Sequence, residues 1–216
     1  FEMKIDRIEL RRRNIIPSSA MPFQTGLIFK YDSGHFEKNM DIATEIGDIA
    51  NFKTRRIKAE EKGKLRGFSV IHMIESAGGA RPEHAEICFD TSGDITLSVG
   101  TKSQGQGHET MYKIMISSML GIDTNRIHLV DGDTDKVSFG IGTIGSRSAL
   151  TGGGAVKLAA DKIIEKGSKI AAQMMEASET DIEFDNGIFT VSGTDKSLSI
   201  GNIAKAAFNP SNIPEG

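Results

Sequence analysis

Apolar and polar positions follow two rhythms along the chain. Residues 108–120 (HETMYKIMISSML) carry apolar side chains at helical spacing, with Met111, Ile114, Met115 and Met119 expected on one face and Gly121 closing the run as a C-terminal glycine. The stretch 149–177, rich in Ala, Lys, Ile, Met and Glu, predicts a longer helix. Shorter helices are expected over 6–13, over 35–48 with Asp32 or Ser33 as cap, over 52–62 ending at Gly63, and over 199–208 before Pro210. Between them lie β-rich runs at 66–76, 84–90, 94–99 and 126–131, the second and third joined by the hairpin signal Thr91-Ser92-Gly93. Asp185-Asn186-Gly187 predicts another hairpin between 181–184 and 188–191. Strand, glycine turn, helix, strand over 94–131 is α/β grammar. The whole reads as an α+β fold with α/β-like segments, in which mixed sheets and hairpins pack against helices. Residues 1–65 are expected to be connecting helices and loops, and 66–216 one α+β domain.

Composition narrows the function classes. With 216 residues, 38% hydrophobic and 25% charged, the chain has an ordinary globular balance. A formal net charge of −3 gives no basic face for nucleic acid, so none is expected as a partner. No apolar stretch approaches a bilayer span and no basic-plus-apolar signal opens the chain, so a cytoplasmic location without a membrane span is expected. The lone Cys88 excludes an internal disulfide framework and any multi-cysteine zinc or iron–sulfur site, and in a β-rich run it reads as a small buried hydrophobe. The chain opens on Phe1 and closes on Asn-Ile-Pro-Glu-Gly, which reads as a piece of something longer.

Candidate chemistry concentrates in two glycine clusters, Gly105-Gln106-Gly107-His108-Glu109-Thr110 and Gly142-Thr143-Ile144-Gly145-Ser146-Arg147-Ser148. Each sits where a helix should begin. The first turn of a helix has unpaired N–H groups and a partial positive charge, and glycine lets an electron-rich ligand approach the backbone. Ser146 and Ser148 could both cap the second helix and donate to a ligand. Other chemistries fare less well. Gly140-Ile141-Gly142-Thr143-Ile144-Gly145 spells a dinucleotide fingerprint, but a polar turn, Asp131-Gly132-Asp133-Thr134-Asp135, stands where the preceding strand should end. His84-Ala85-Glu86 lacks the cysteine pair of a zinc deaminase, no Walker loop or serine-hydrolase elbow is present, and no two histidines are spaced as a helical metal pair. Only His108 stands beside a glycine turn.

Taken together, the two clusters and the 131–135 turn, in this order and spacing, closely resemble the large, molybdopterin-binding subunit of the xanthine dehydrogenase and aerobic carbon monoxide dehydrogenase family. Leu10-Arg11-Arg12-Arg13-Asn14 and Tyr31-Asp32-Ser33-Gly34 extend the likeness to nearly the whole chain. The resemblance implies a portion of a molybdenum hydroxylase, an oxidoreductase, in which 66–216 is the cofactor-binding domain. By that likeness Gln106 would lie beside the molybdenum without ligating it, and Gly105 and Gly107 would let the backbone meet the pterin. Gly145, Ser146, Arg147 and Ser148 would hold the nucleotide end of molybdopterin cytosine dinucleotide. Implied partners are the rest of the large subunit and iron–sulfur and flavin subunits or domains, in a dimeric assembly. The family's catalytic glutamate motif does not occur before Gly216, and the cysteine loop of carbon monoxide oxidisers lies upstream of the matching region. No catalytic or metal-ligating residue is therefore expected here, and the isolated chain is expected to be inactive and to retain cofactor weakly. Two other readings stay open: a non-catalytic scaffold or assembly module of the same fold, and a nucleotide-binding α/β domain.

Overall fold

A computed structural model describes residues 3–78 and 81–213, and the chain divides into two compact units, 1–74 and 75–216. In the first unit a short helix α1 (Arg7–Arg12) is capped by Asp6, whose carboxylate accepts the N–H groups of Ile8 and Glu9 at 2.9 and 3.0 Å. Those N–H groups hold the Asp6 carboxyl below its ordinary pKa. A two-residue ladder pairs β1 (Phe23–Gln24) with β2 (Lys30–Tyr31), and helices α2 (Phe36–Ile46) and α3 (Phe52–Glu60) follow. His35, not Asp32 or Ser33, occupies the cap position of α2, and it makes no capping bond with its side chain. Met40 is the one fully buried large side chain among the described residues of this unit, and Leu27, Ile28, Ile46 and Leu65 are largely exposed.

The strand expected over 66–76 does not form. These residues have no ladder partner, and Ile71 and Met73 are exposed. β-rich composition states that a segment fits a pleated, half-buried surface, but it cannot provide the neighbouring strand.

The second unit holds the main core. Strands β3 (Ala85–Phe89) and β4 (Ile95–Val99) form the expected antiparallel hairpin, and helix α4 (His108–Leu120) carries the chain to β5 (Ile127–Val130), which pairs parallel to β4. The mixed sheet therefore has the order β3-β4-β5. A π-turn at Ser148–Gly152 leads into helix α5 (Gly153–Met175). An antiparallel sheet follows, made of β6 (Ile182–Asp185), β7 (Ile188–Val191) and β8 (Ser197–Ser199), and then helix α6 (Ile200–Ala206). The turn joining β6 to β7 has Asn186 and Gly187 at φ 41° and 81°, the left-handed pair that a tight hairpin requires. One core joins Ile95, Leu97, Val99, Ile116, Leu120, Val156, Ile170 and Phe189 from both sheets and the two long helices. This is the expected α+β architecture.

Two details differ from the periodicity. The buried face of α4 is His108, Tyr112, Ile116 and Leu120, with the methionines flanking it and Ile114 57% exposed. Two polar-capable residues, His108 and Tyr112, occupy the stripe that apolar counting assigned to Met and Ile. Cys88 is exposed, because the alternation along β3 turns Ile87 inward and its neighbours outward.

Candidate functional site

The first glycine cluster lies where β4 runs out at Val99 and the chain turns into α4. Gly105 and Gly107 have φ of 98° and 81°, conformations that L side chains rarely adopt, and a Cβ on either would meet nothing within 4 Å. The space before the loop is therefore open. Gly107 occupies the cap position of α4 and can offer no side-chain acceptor, so the first-turn N–H groups remain available to a ligand. Gln106 is exposed, and its amide folds back on its own loop. Its Oε1 accepts the Gln104 N–H at 2.5 Å, and its Nε2 reaches the Lys102 carbonyl only at 3.5 Å. His108 is 3% exposed, lies edge-on to the Tyr112 ring with centroids 5.7 Å apart, and leaves Nδ1 buried without a hydrogen-bond partner.

The second cluster is built around a buried charge. Arg147 and Glu83 form an ion pair with side chains only 3% and 0% exposed. The guanidinium also donates to the carbonyls of Gly142, Arg81 and Pro82 at 3.1, 3.1 and 3.0 Å. This side chain is spent on the protein. Gly142, Gly145 and Ser146 all have positive φ, at 84°, 55° and 53°. The Gly145 carbonyl accepts the Gly78 N–H at 3.1 Å, and Ser146 Oγ donates to Glu75 at 3.1 Å. Ser148 is buried, with Oγ 3.3 Å from Thr143 Oγ1. Neither serine caps the helix that follows, because a π-turn starts there and no side chain makes a capping bond.

Three contacts stitch the clusters together. Thr143 Oγ1 accepts the Lys102 N–H at 3.0 Å and donates to the Lys102 carbonyl at 2.7 Å. The Gly142 N–H donates to the Gly100 carbonyl at 3.2 Å, where two glycines pass so closely that a Cβ on Gly100 would stand 2.6 Å from Gly140 Cα. Tyr112, fully buried, donates to the Ser148 carbonyl at 3.0 Å and shares a 2.8 Å hydrogen bond with Thr101 Oγ1. Burial raises the Tyr112 pKa, so its hydroxyl stays protonated. The 131–135 turn joins the same assembly, since Asp131 accepts the Ser103 N–H at 2.7 Å.

A family model described as the molybdopterin cofactor-binding domain matches residues 43–215. The chain belongs to this family. It is 34% identical over 220 residues to the nicotine 6-hydroxylase large subunit of Paenarthrobacter nicotinovorans, covering 96% of this chain and 27% of that protein. It is also 34% identical over 239 residues to the carbon monoxide dehydrogenase large chain of Afipia carboxidovorans, covering 99% and 29% respectively. Among solved structures it resembles the Cu,Mo-CO dehydrogenase in its carbon monoxide reduced state, with a TM-score of 0.65, 33% identity, and coverage of 95% of this chain and 28% of that one. The chain thus spans somewhat over a quarter of the length of these relatives.

The residues present fit a molybdopterin group. Gly105, Gly107 and Gly142 leave open space where a Cβ would stand, the uncapped start of α4 offers first-turn N–H donors and partial positive charge, and the orphaned Nδ1 of His108 is a buried polar atom next to Gly107. By contrast, a groove of about 720 Å³ in the first unit is lined by Ile15, Ile16, Tyr31, Phe36 and Ile74 among others and includes neither glycine cluster. The dinucleotide fingerprint lacks its required setting, because β5 ends at Val130, ten residues before Gly140. Among the described residues no group of three or more His, Cys, Asp or Glu is arranged to hold a metal ion, and no helix is long and apolar enough to cross a membrane.

Sequence reasoning passed over Glu83, Thr101, Tyr112 and the bridging role of Thr143. Glu83 meets Arg147 across 64 residues and Thr143 meets Lys102 across 41, and no local pattern marks such pairs. Tyr112 carried one signal: it is the single aromatic residue of α4 outside the cluster's own His108.

Proposed function

We propose that this chain forms part of the cofactor cradle of a molybdenum-dependent hydroxylase, with residues 66–216 as the cofactor-binding portion and 1–65 as connecting structure. Gly105, Gln106 and Gly107 would serve the pterin and metal end, and Gly145, Ser146, Arg147 and Ser148 the nucleotide end of molybdopterin cytosine dinucleotide. The observation that carries this reading is the joining of two glycine turns by Thr143, Gly142 and Tyr112, with open space at Gly105, Gly107 and Gly142. One long anionic ligand can meet both.

The bound cofactor would supply the redox chemistry for two-electron oxidation of a carbon centre. The chain's own part is binding and orientation. N–H groups at the start of α4 would receive anionic oxygen, and Nε2 of Gln106, held by only one long bond, would be free to donate when the loop meets the ligand. Arg147 would contribute its backbone, since its guanidinium is already engaged. Relatives named for nicotine 6-hydroxylation and for carbon monoxide support an electrophilic carbon substrate in general, without choosing one.

Partners in this reading are the remainder of the large subunit and iron–sulfur and flavin components, in a dimeric cytoplasmic assembly. Exposed Ile28, Ile46, Leu65, Ile71 and Met73 support burial of the first unit against other parts of that subunit. The isolated chain is expected to show no hydroxylase activity. The test is to quantify molybdenum and acid-released cytidine nucleotide in the holoenzyme containing this chain, with and without Gly107→Val. The expected result is equimolar metal and nucleotide in the parent and loss of both in the variant. A different nucleotide would remove the cytosine assignment, and unchanged content would remove the loop assignment.

A further inference from the structure

The Glu83–Arg147 pair has a use beyond filling space. It is enclosed where three segments meet: residues 81–83 ahead of β3, the turn at Gly100, and the loop 142–148. A planar guanidinium with five donors can satisfy a carboxylate and three carbonyls at once, which a lysine ammonium cannot. Gly100 leaves the room required, because a Cβ there would overlap the Glu83 carboxylate. Glu83 Oε1 accepts the His84 N–H at 3.1 Å as well, which fixes the carboxylate from the next residue along the segment ahead of β3. The loop that this pair holds contains three positive-φ residues, one of them Ser146, a non-glycine residue in the left-handed region. Such a conformation persists only where its surroundings over-determine it.

We propose that Glu83 is a positioning residue for the cofactor: acting only through Arg147, it locks the loop 142–148 in the shape that receives the nucleotide end, and neither side chain touches the ligand. This rests on the reading of the two glycine turns as the cofactor cradle. A positioning role differs from a purely structural one because it makes cofactor retention depend on the shape of the loop, not on the stability of the fold.

The experiment uses the holoenzyme containing this chain and three readouts: bound molybdenum and nucleotide, the unfolding midpoint, and hydrogen exchange at amides 142–148. Glu83→Gln and Arg147→Lys are each expected to weaken cofactor retention about tenfold, the lower end of what removing a supporting residue around a bound group costs. Exchange should accelerate within 142–148. The double variant Glu83→Met with Arg147→Met removes the buried carboxylate together with its partner, so the unfolding midpoint should rise above that of Arg147→Ala even though the Gly142, Arg81 and Pro82 carbonyls lose their donor. Retention should not recover with it. The proposal is overturned if retention returns along with stability in the double variant. It is also overturned if the single variants keep full cofactor while Gly107→Val loses it. Should Gly107→Val itself retain cofactor, the cradle reading falls and this proposal falls with it.

Discussion

The two glycine turns sit side by side, yet they are held in opposite ways. The loop at 105–107 is exposed, owes its path to two glycines in left-handed conformations, and has open space where side chains would stand. The loop at 142–148 rests on a buried guanidinium that reaches a carboxylate and three carbonyls. The first is shaped by backbone freedom, the second by a satisfied polar network. Substitutions in the first should therefore change binding by more than their effect on folding explains, and substitutions under the second should change both together.

The largest expected effect comes from breaking the network. Arg147→Ala takes away the buried partner of the Glu83 carboxylate and the donor of three carbonyls, so denaturant unfolding should show a loss of about 3–5 kcal/mol. Tyr112→Phe removes a buried hydroxyl that serves both Thr101 and the Ser148 carbonyl, and the same measurement should show a loss of about 1–3 kcal/mol. Gly107→Ala forces a side chain into a φ of 81°, costing about 1–2 kcal/mol. Its cofactor retention should fall by more than that cost explains, whereas Tyr112→Phe should lose stability and retention in proportion. Thr143→Val cuts the bridge to Lys102 and should cost about 1 kcal/mol, with exchange rising at amides of both loops.

The smallest effect concerns Asp133 in the neighbouring turn. The Asp135 N–H and then Lys136 hold its carboxyl below the ordinary range. A depressed folded pKa contributes stability that is present above the unfolded value and lost as pH falls through the folded one. A carboxylate titration followed by NMR should place Asp133 below a free aspartate and move it back in Lys136→Ala.

Much of the fold was legible in local pattern. The glycine at 93 and the Asn186-Gly187 pair mark their hairpins because few other residues suit those backbone angles, and Gly121 ends α4 in the left-handed conformation expected of it. The misses have physical causes. Residues 66–76 have strand composition but no ladder partner, and composition cannot provide one. Periodicity put methionines on the inner face of α4, where His108 packs edge-on to Tyr112 and Tyr112 donates to the Ser148 carbonyl. At the site, both glycine turns were visible from the residues alone, since positive φ and close approach are glycine's own properties. Arg147 was also visible, but its surroundings were not. The family resemblance set it toward a ligand, whereas Glu83, 64 residues away, already occupies its guanidinium.

That both loops hold one ligand is tested most directly by hydrogen–deuterium exchange on the holoenzyme, comparing cofactor-loaded with cofactor-free protein. Amides at 105–110 and at 145–148 are expected to gain protection together on loading. Protection confined to one loop, or absent from both, would contradict a shared cofactor cradle.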